Sequence, residues 1–567
     1  MKWTKRGLEK VIKEVFERNI GATCEQVNAW FKKSYSDEYR VDGLNEAVEL
    51  ALKFKNSPVR IIGDYDVDGV CSTSILKLSL KAMGFTSVTH RIPHRFSEGF
   101  GINMKIIDEI ESGLVITCDN GIAQLDAIKA AKAKGLKVII LDHHEPVKVD
   151  GKAVLPEADI IVDPNAIEGS ADFNGYCGAG LCLKFARKLG VNKALYQQLQ
   201  SLAAMATIAD VMELREENYV IVRNGLKALT SPATTTAGAY ALVSAFELTK
   251  HLTAHDIGFK LGPAINACSR MKDDGAMDAV ELLTFTESYV RAIPMAEAVV
   301  EVNNSRKAIK EAANKAARQY IDEHCLYGDV PLIVRLDGTP EGVIGIVAGN
   351  LCEEFKVPAI VLTDIGDGLL RGSSRSCGNY HMKENLDKVS DLLVKYGGHA
   401  GAAGLSLKEE DFDAFAARMF ETSSGFENPE DETTDIFYDL EIKASDIPDT
   451  IEELAKYEPF GNGNPAPIFK VNSFSVNPKG GNFLNKVTSS YDITKLYYKS
   501  DVVAIGFDMS DRFKEVPKSV SLIGTLGDNY FNGKVTHQIE FVDFATEELK
   551  VVQTPLAAKL ASMAMMS

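Results

Sequence analysis

Val59-Arg-Ile-Ile-Gly-Asp-Tyr-Asp-Val-Asp-Gly69 is a short β-branched run that ends in glycine and then presents Asp64, Asp66 and Asp68 at alternate positions. Such a run reads as a buried parallel strand, and α/β folds place ligands beyond the carboxyl ends of these strands. On a continuing extended backbone, alternate spacing sets all three carboxylates on one side. Only Arg60 lies close enough to neutralise them, and it precedes the apolar run. Clustered carboxylates repel unless they are protonated or hold a cation, so a divalent metal is the economical reading. A solvated, Asp-rich strand-to-helix turn is the competing one.

Working outward, residues 59–165 alternate strand and helix. Strand-like runs fall at Arg60–Ile62, Val88–Ile92, Leu114–Thr117, Val138–Leu141 and Ile160–Val162, with helical stretches such as Thr73–Met83 and Gln124–Lys134 between them. That repetition predicts a parallel sheet covered by helices on both faces. After Leu114-Val-Ile-Thr-Cys comes Asp119-Asn-Gly121, after Val138-Ile-Ile-Leu comes Asp142-His-His144-Glu145, and after Ile160-Ile-Val comes Asp163-Pro-Asn165. Each strand therefore delivers acids or imidazoles to one edge of the sheet. Asp163 alone reads as a cap for the following segment. Imidazole with carboxylate suits Mn²⁺, Zn²⁺ or Fe²⁺, whereas an all-oxygen set suits Mg²⁺ or Ca²⁺. Adjacent histidines on an extended backbone face opposite ways, so at most one of His143 and His144 is a direct ligand, and the other is a substrate contact or a satisfied core histidine. Asp210 closes the apolar helical run that begins at Leu202. The helix dipole disfavours an anion there, so a metal partner accounts for it better than a capping role.

Composition bounds the rest. The chain has 567 residues, 45% apolar and 25% charged, which is enough for three or four domains of an ordinary globular protein. No run is long enough to span a bilayer, and the basic start MKWTKRGLEK has no apolar core after it to form a secretory signal. Nine cysteines are scattered without CxxC pairs, as reduced core residues of a cytoplasmic protein are. The net charge of −17 excludes a surface that grips nucleic acid everywhere, but not a local basic groove. Residues 421–442 carry eight acids and no base, while 468–538 carry nine Lys/Arg against six Asp/Glu. The first reads as a linker, the second as a mildly basic module.

The motifs Gly-Asp-Tyr-Asp-Val-Asp-Gly, Cys-Asp-Asn-Gly, Asp-His-His and Ala-Thr-Ile-Ala-Asp-Val resemble those of the DHH phosphoesterase superfamily. Pro93-His-Arg-Phe-Ser-Glu-Gly-Phe-Gly101, Leu261-Gly-Pro-Ala-Ile-Asn-Ala-Cys-Ser-Arg270, Gly397-Gly-His-Ala-Gly-Ala-Ala-Gly404 and Pro459-Phe-Gly-Asn-Gly-Asn-Pro465 narrow the resemblance to the RecJ family of single-strand-specific 5′→3′ DNA exonucleases. It runs from about residue 40 to 540 with the motifs in order. Cys268-Ser269 departs from it, since the family more often has alanine and glycine there.

The resemblance implies two Mn²⁺ or Mg²⁺ ions held by Asp64, Asp66, Asp68, Asp119, His143 and Asp210. Asp119 is the bridging candidate, and which two of the opening aspartates bind directly stays open. His144 corresponds in place to a family residue that contacts the scissile phosphate, so His144, Asp119 and His143 form the expected catalytic set. Two ions lower the pKa of a shared water and neutralise charge building on phosphorus, so no Ser or Cys nucleophile is required. For substrate holding, the resemblance points to Arg95 in a Gly-rich loop and to Arg270 after a Gly-Pro stretch. It adds Ser373 and Arg375, as 5′-phosphate holders in the first of two Gly-rich loops (371–378), and His399 in the second (397–404). Read without it, each arginine is an ordinary solvated one.

The expected fold class is α/β. A DHH parallel-sheet domain and a DHHA1 domain are joined by a long helix over Ala296–His324, and a small β-barrel of OB type follows. The expected boundaries are 1–55 (N-terminal helices, as a lid or a sheet cap), 56–225 (DHH), 226–328 (helical region and connector), 329–425 (DHHA1), 426–458 (acidic linker), 459–550 (OB-like) and 551–567 (tail, with a short Ala/Met-rich helix at 556–566). In the barrel, Tyr497, Tyr498, Phe507, Tyr530 and Phe531 interleave with lysines as base-stacking platforms do, with Phe507 read as core. Single-stranded DNA is the partner the resemblance implies, with a single-strand-binding protein and a RecQ-type helicase beside it, acting on a monomer. Two rival functions are another DHH phosphoesterase acting on short oligoribonucleotides or small phosphates, and a metal-free replication scaffold. The extra barrel argues against the first and the intact aspartates against the second. RNA stays open as a substrate, since no residue visibly reads a 2′-hydroxyl.

Overall fold

A computed structural model describes residues 3–546 apart from 37, 150, 428–434, 477–482, 488–491, 499–501, 508, 510–518 and 532–533. The tail helix expected at 556–566 lies outside the described residues, as does the Phe531 side chain.

The β-branched runs of the first lobe form five parallel strands in the order Ser87–Arg91, Pro58–Ile62, Leu114–Cys118, Lys137–Leu141, Ile160–Val162. Alternation along each strand divides the lobe into two cores. Leu114, Ile116, Ile139 and Leu141 face one layer of helices, and Val115, Val138 and Ile140 face the other. All five carboxyl ends therefore open on one edge. The helices after residue 178 pack on the larger of the two cores.

The connector helix runs Tyr289–His324, starting earlier than the periodicity predicts because Pro294 is carried near its N-terminus. At 1.5 Å per residue it is about 54 Å long, enough to link two lobes. Its first half enters the core of the first lobe and its second half that of the next.

The second lobe is a mixed sheet ordered Leu393–Gly398, Ala402–Lys408, Leu369–Arg375, Ala359–Asp364, Leu332–Arg335, with the helix Glu341–Phe355 across it. Both expected Gly-rich loops are mostly strand here. Ser373 and Arg375 lie on Leu369–Arg375, and the loop parts are residues 376–378 and the hairpin turn around His399. Small residues serve these strands because their neighbours approach closely: a Cβ on Gly372 would sit 2.8 Å from Leu405 Cγ.

The third lobe is a seven-stranded sheet from Leu440 to Thr546, bulged between Val471 and Phe474 and between Ile523 and Gly524. Within the acidic stretch, strands Ile436–Tyr438 and Leu440–Lys443 and the helix Ile447–Leu454 already belong to this lobe or pair beside it. The N-terminal segment is more than a cap on the first sheet. Trp3–Lys5 pairs in parallel with Ile436–Tyr438, and Ile12 and Val15 enter the third lobe's core. Phe507 is 37% exposed, so it is not the core residue expected, whereas Tyr498 packs against that core. Tyr530 is stacked on His251 of the helical region, with centroids 4.4 Å apart and planes 16° apart, so one ring face is taken by the protein itself. Among the described residues no disulfide is formed, and no helix is long and apolar enough to cross a membrane.

Candidate metal centre and strand-binding cleft

The opening aspartates converge by a route other than an extended backbone. The chain leaves the strand after Ile62 and turns into a helix at Val67. Asp66 is the N-cap of that helix and accepts the Gly69 N–H at 3.1 Å, while Asp68 lies in its first turn. The Asp68 carboxylate accepts the Gly178 and Ala179 N–H groups at 2.7 and 2.8 Å, from the N-terminus of the helix Gly178–Leu189. Backbone donors at a helix start are a ready anion site, and here a side chain fills it. Gly178 is needed at this position, because a Cβ would fall 2.8 Å from that of Asp119.

Asp119 has φ 61°, a left-handed conformation that a non-glycine residue rarely takes. Asn120 anchors that turn by donating to the Ile62 and Cys118 carbonyls at 3.1 and 2.9 Å. The two histidines do not oppose each other as an extended strand would place them. The backbone has already turned after Leu141, and Asp142 Oδ1 accepts the N–H of His143 at 2.8 Å and of His144 at 3.3 Å. His143 Nε2 then lies 3.2 Å from Asp119, 3.6 Å from Asp68 and 3.7 Å from Asp210. His144 Nδ1 is 2.8 Å from Asp142 and 4.0 Å from Asp119.

Three sets of ligand atoms lie mutually within 4.8 Å: Asp64, Asp66 and Asp119; Asp68, His143 and Asp210; and Asp119, His143 and His144. The first is all oxygen and the second mixes imidazole with carboxylate, with Asp119 between them. Asp64 Oδ1 is buried without a hydrogen-bond partner. Burial and the neighbouring carboxylates hold Asp64, Asp66 and Asp119 above the ordinary carboxylate range. Burial, then Asp68 and Asp66, pushes Asp210 up to about 8. Acids that oppose one another's ionisation this strongly fit divalent cations. Burial works against a charge on His144, but the Asp142 carboxylate outweighs it and raises the imidazole to about 9. Asp163, with Oδ1 accepting the Asn165 and Ala166 N–H groups, is the turn cap expected, but its Oδ2 is buried and unpartnered.

From this centre a line of arginines leads to the second lobe. Arg95 lies over the Tyr65 ring at 4.3 Å and donates to Ser269 Oγ at 3.3 Å. Arg270 is in the last turn of the helix Gly262–Met271, whose first turn is the Gly-Pro stretch itself, and donates to the Gly342 carbonyl at 3.4 Å. Burial, then Arg95, Arg306 and Arg375, lowers Arg270 to about 10. Arg371, Ser373 and Arg375 share the strand face that meets the helix Glu341–Phe355. A Cβ on Gly345 of that helix would fall 2.8 Å from Ser373 Oγ and 3.5 Å from Arg375 Nη2. Pairing of Arg375 with Ala402 brings the His399 turn alongside, and His399 is exposed there. The sequence places Asp142 at the sheet edge within Asp-His-His but gives it no role, and it does not single out Gly178, Tyr65 or Gly345. Gly178 has a visible signal in Tyr-Cys-Gly-Ala-Gly ahead of an apolar helical run, but Tyr65 and Gly345 carry none beyond their neighbours.

Three family models match this chain: the DHH family N-terminal domain over residues 58–211, the DHHA1 domain over 329–424 and the RecJ OB domain over 438–543. Fold and site together thus define a DHH–DHHA1 protein with an appended OB domain. The RecJ single-stranded-DNA-specific exonuclease of Haemophilus influenzae is 31% identical over 464 residues, 77% of this chain and 79% of the relative. That of Thermus thermophilus is 31% identical over 89% of this chain and 71% of its own length. A putative prophage-derived single-strand DNA-specific exonuclease of Bacillus subtilis is 25% identical over 91% of both chains. The crystal structure of Thermus thermophilus RecJ with Mn²⁺ superposes with a TM-score of 0.72 at 25% identity, covering 97% of this chain and 80% of that one. The chain belongs to the RecJ family of single-stranded-DNA-specific exonucleases.

Proposed function

We propose that this chain is a divalent-metal-dependent exonuclease that degrades single-stranded DNA from its 5′ end to mononucleotides, in repair and recombination. The observation that carries the reading is the set Asp64, Asp66 and Asp119 beside the set Asp68, His143 and Asp210 at the edge of the first sheet, with His143 Nε2 3.2 Å from Asp119 and an arginine path from there to Ser373 and Arg375. Asp64, Asp66, Asp68, Asp119, His143 and Asp210 would hold two ions, Mn²⁺ or Mg²⁺. When bound, these supply an activated water and neutralise charge on the reacting phosphate.

The protein's own groups do the rest. Asp142 fixes the His144 ring so that its far nitrogen donates to a non-bridging phosphate oxygen as charge develops. Arg95 and Arg270 hold the scissile phosphate against the centre. Ser373 and Arg375 grip the terminal 5′-phosphate, with His399 at the rim, which sets polarity. A cleft between the lobes that admits one strand excludes duplex. Single-stranded DNA is the partner on this reading. A single-strand-binding protein and a RecQ-type helicase would present it to a monomer in the cytoplasm.

The test is digestion of 5′- and 3′-labelled single strands, with duplex controls, in Mn²⁺, Mg²⁺ and EDTA. The expected result is early release of 5′ mononucleotides from single strands only, lost in EDTA. Cleavage confined to dinucleotides or small phosphates would move the chain to another DHH activity, and tight binding without turnover would make it a scaffold.

A further inference from the structure

One face of the connector helix carries Ala292, Ala296 and Val299 into the first lobe's core, and Ala313, Ala317 and Ile321 into the second lobe's. Between these runs the buried face is polar: Asn303 is 1% exposed and Arg306 9% exposed. The interruption falls where the helix passes from one core to the other. The connector helix packs on Gly262–Met271, which bears Arg270, and on Glu341–Phe355, which underlies Ser373 and Arg375. A buried guanidinium is costly unless it is paired. Arg306 Nε and Nη2 donate to Asn303 Oδ1 at 3.1 and 2.9 Å, and a neutral amide oxygen is its only hydrogen-bonding partner among the described residues.

That pairing orients the amide so that Asn303 Nδ2, a buried donor, has no acceptor. Burial lowers Arg306 and no carboxylate holds it up, while Arg306 in turn joins Arg95 and Arg375 in depressing Arg270. Four guanidiniums thus gather in one region. The group that would satisfy both the cation and the orphan N–H is an anionic oxygen.

We propose that Asn303 and Arg306 are a further phosphate-binding pair, contributed by the connector helix to a phosphate of the single strand held between the lobes. This rests on the strand-cleft reading above. A non-bridging oxygen accepts from Asn303 Nδ2 and Arg306 together, and the helix thereby senses whether the cleft is filled.

The test uses the Mn²⁺-loaded protein and a 5′-phosphorylated, phosphorothioate-linked oligothymidylate that resists hydrolysis, followed by fluorescence anisotropy over a range of salt. Arg306→Met should bind at least about 10-fold more weakly, with the slope of log K against log salt shallower by about 0.7, the value for one lost phosphate contact on a single strand. Its melting temperature without DNA should be unchanged or higher, because a buried like charge has gone. Asn303→Asp supplies the missing carboxylate, so it should melt higher than the parent and also bind more weakly. That variant keeps the test open if Arg306→Met fails to fold. Lower melting temperatures with affinity and salt slope unchanged would make the pair a packing device and overturn the proposal. A parent protein that binds no single strand would instead remove the cleft reading itself.

Discussion

Asp142 Oδ1 lies 2.8 Å from His144 Nδ1 and accepts the His143 N–H at the same distance, so one carboxylate shapes both histidines. It is itself held by the Ile122 N–H, which donates to Oδ2 at 3.0 Å. Asp142→Asn has a single carbonyl oxygen to serve these donors and leaves the His144 ring unanchored. Its kcat should fall about 100-fold with KM within a few fold, as for loss of one positioned donor. The double variant with His144→Ala should be no slower than His144→Ala alone, since the two act as a unit. Additive losses in steady-state kinetics would separate them.

Asp119→Ala should abolish hydrolysis, with turnover down more than about 1,000-fold, while strand affinity stays near that of the parent. Mn²⁺ titration by calorimetry should show a lost or weakened site. Equal loss of strand binding would make Asp119 a folding residue, in keeping with its strained φ of 61°.

Arg375→Ala should erase most of the preference for 5′-phosphorylated over 5′-hydroxyl strands. Gly345→Ala should do likewise without touching a charge, because its methyl group would displace Ser373 Oγ. Gly349→Ala, whose Cβ meets Arg375 Cγ at an ordinary 3.9 Å, should keep the preference. Ratios of kcat/KM on the two strand types decide the matter, and an unchanged ratio in Arg375→Ala would discard the terminal-phosphate role.

Metal-free protein should lose stability as pH rises from 5 to 8. Asp64, Asp119 and Asp210 have folded pKa values above their unfolded ones, mainly through burial and then through neighbouring carboxylates, Asp66 beside Asp64 and Asp68 beside Asp119 and Asp210, with Asp210 at about 8. A raised carboxyl favours the fold fully below its unfolded pKa, and the advantage disappears as pH climbs through the folded value. Mn²⁺ should therefore raise the melting temperature more at pH 8 than at pH 5. Equal increments at both values would argue that these carboxylates are not the ligands.

Asp163→Asn should stabilise the protein above pH 7 and leave it unchanged near pH 4. Burial, then Asp142, pushes Asp163 up to about 7, so its ionisation at higher pH opposes folding. Asparagine keeps the Oδ1 acceptor for the Asn165 and Ala166 N–H groups. Melting curves across pH check the crossover.

Much of this was legible in the chain before any coordinates. Runs followed by an acid mark four of the five parallel strands within a residue or two, because burial on both faces demands apolar residues and the sheet edge then receives whatever follows; Ser87–Arg91 is followed by Ile92-Pro-His94 instead. The metal-ligand candidates come together for that reason. Errors arose where local spacing was made to stand for backbone direction. Asp68 reaches the cluster from a helix, not a strand, and His143 and His144 converge through an Asp142-capped turn. Glycine-rich composition around Ser373 and Gly404 suggests loops, whereas Gly372, Gly398 and Gly345 let neighbouring strands and the helix Glu341–Phe355 approach closely.

By itself the sequence determined the strand order of chemistry, the acids and imidazoles at one sheet edge, and the long connector, since these follow from periodicity and residue type. Only the tertiary structure decided which groups share a site. Arg306 reads as one more cation on a charged helix, and becomes unusual only when two cores close on either side of it. Gly345 is one of several glycines until Ser373 lies against it. Those roles depend on distances between segments far apart in the chain, and packing, not local pattern, sets such distances.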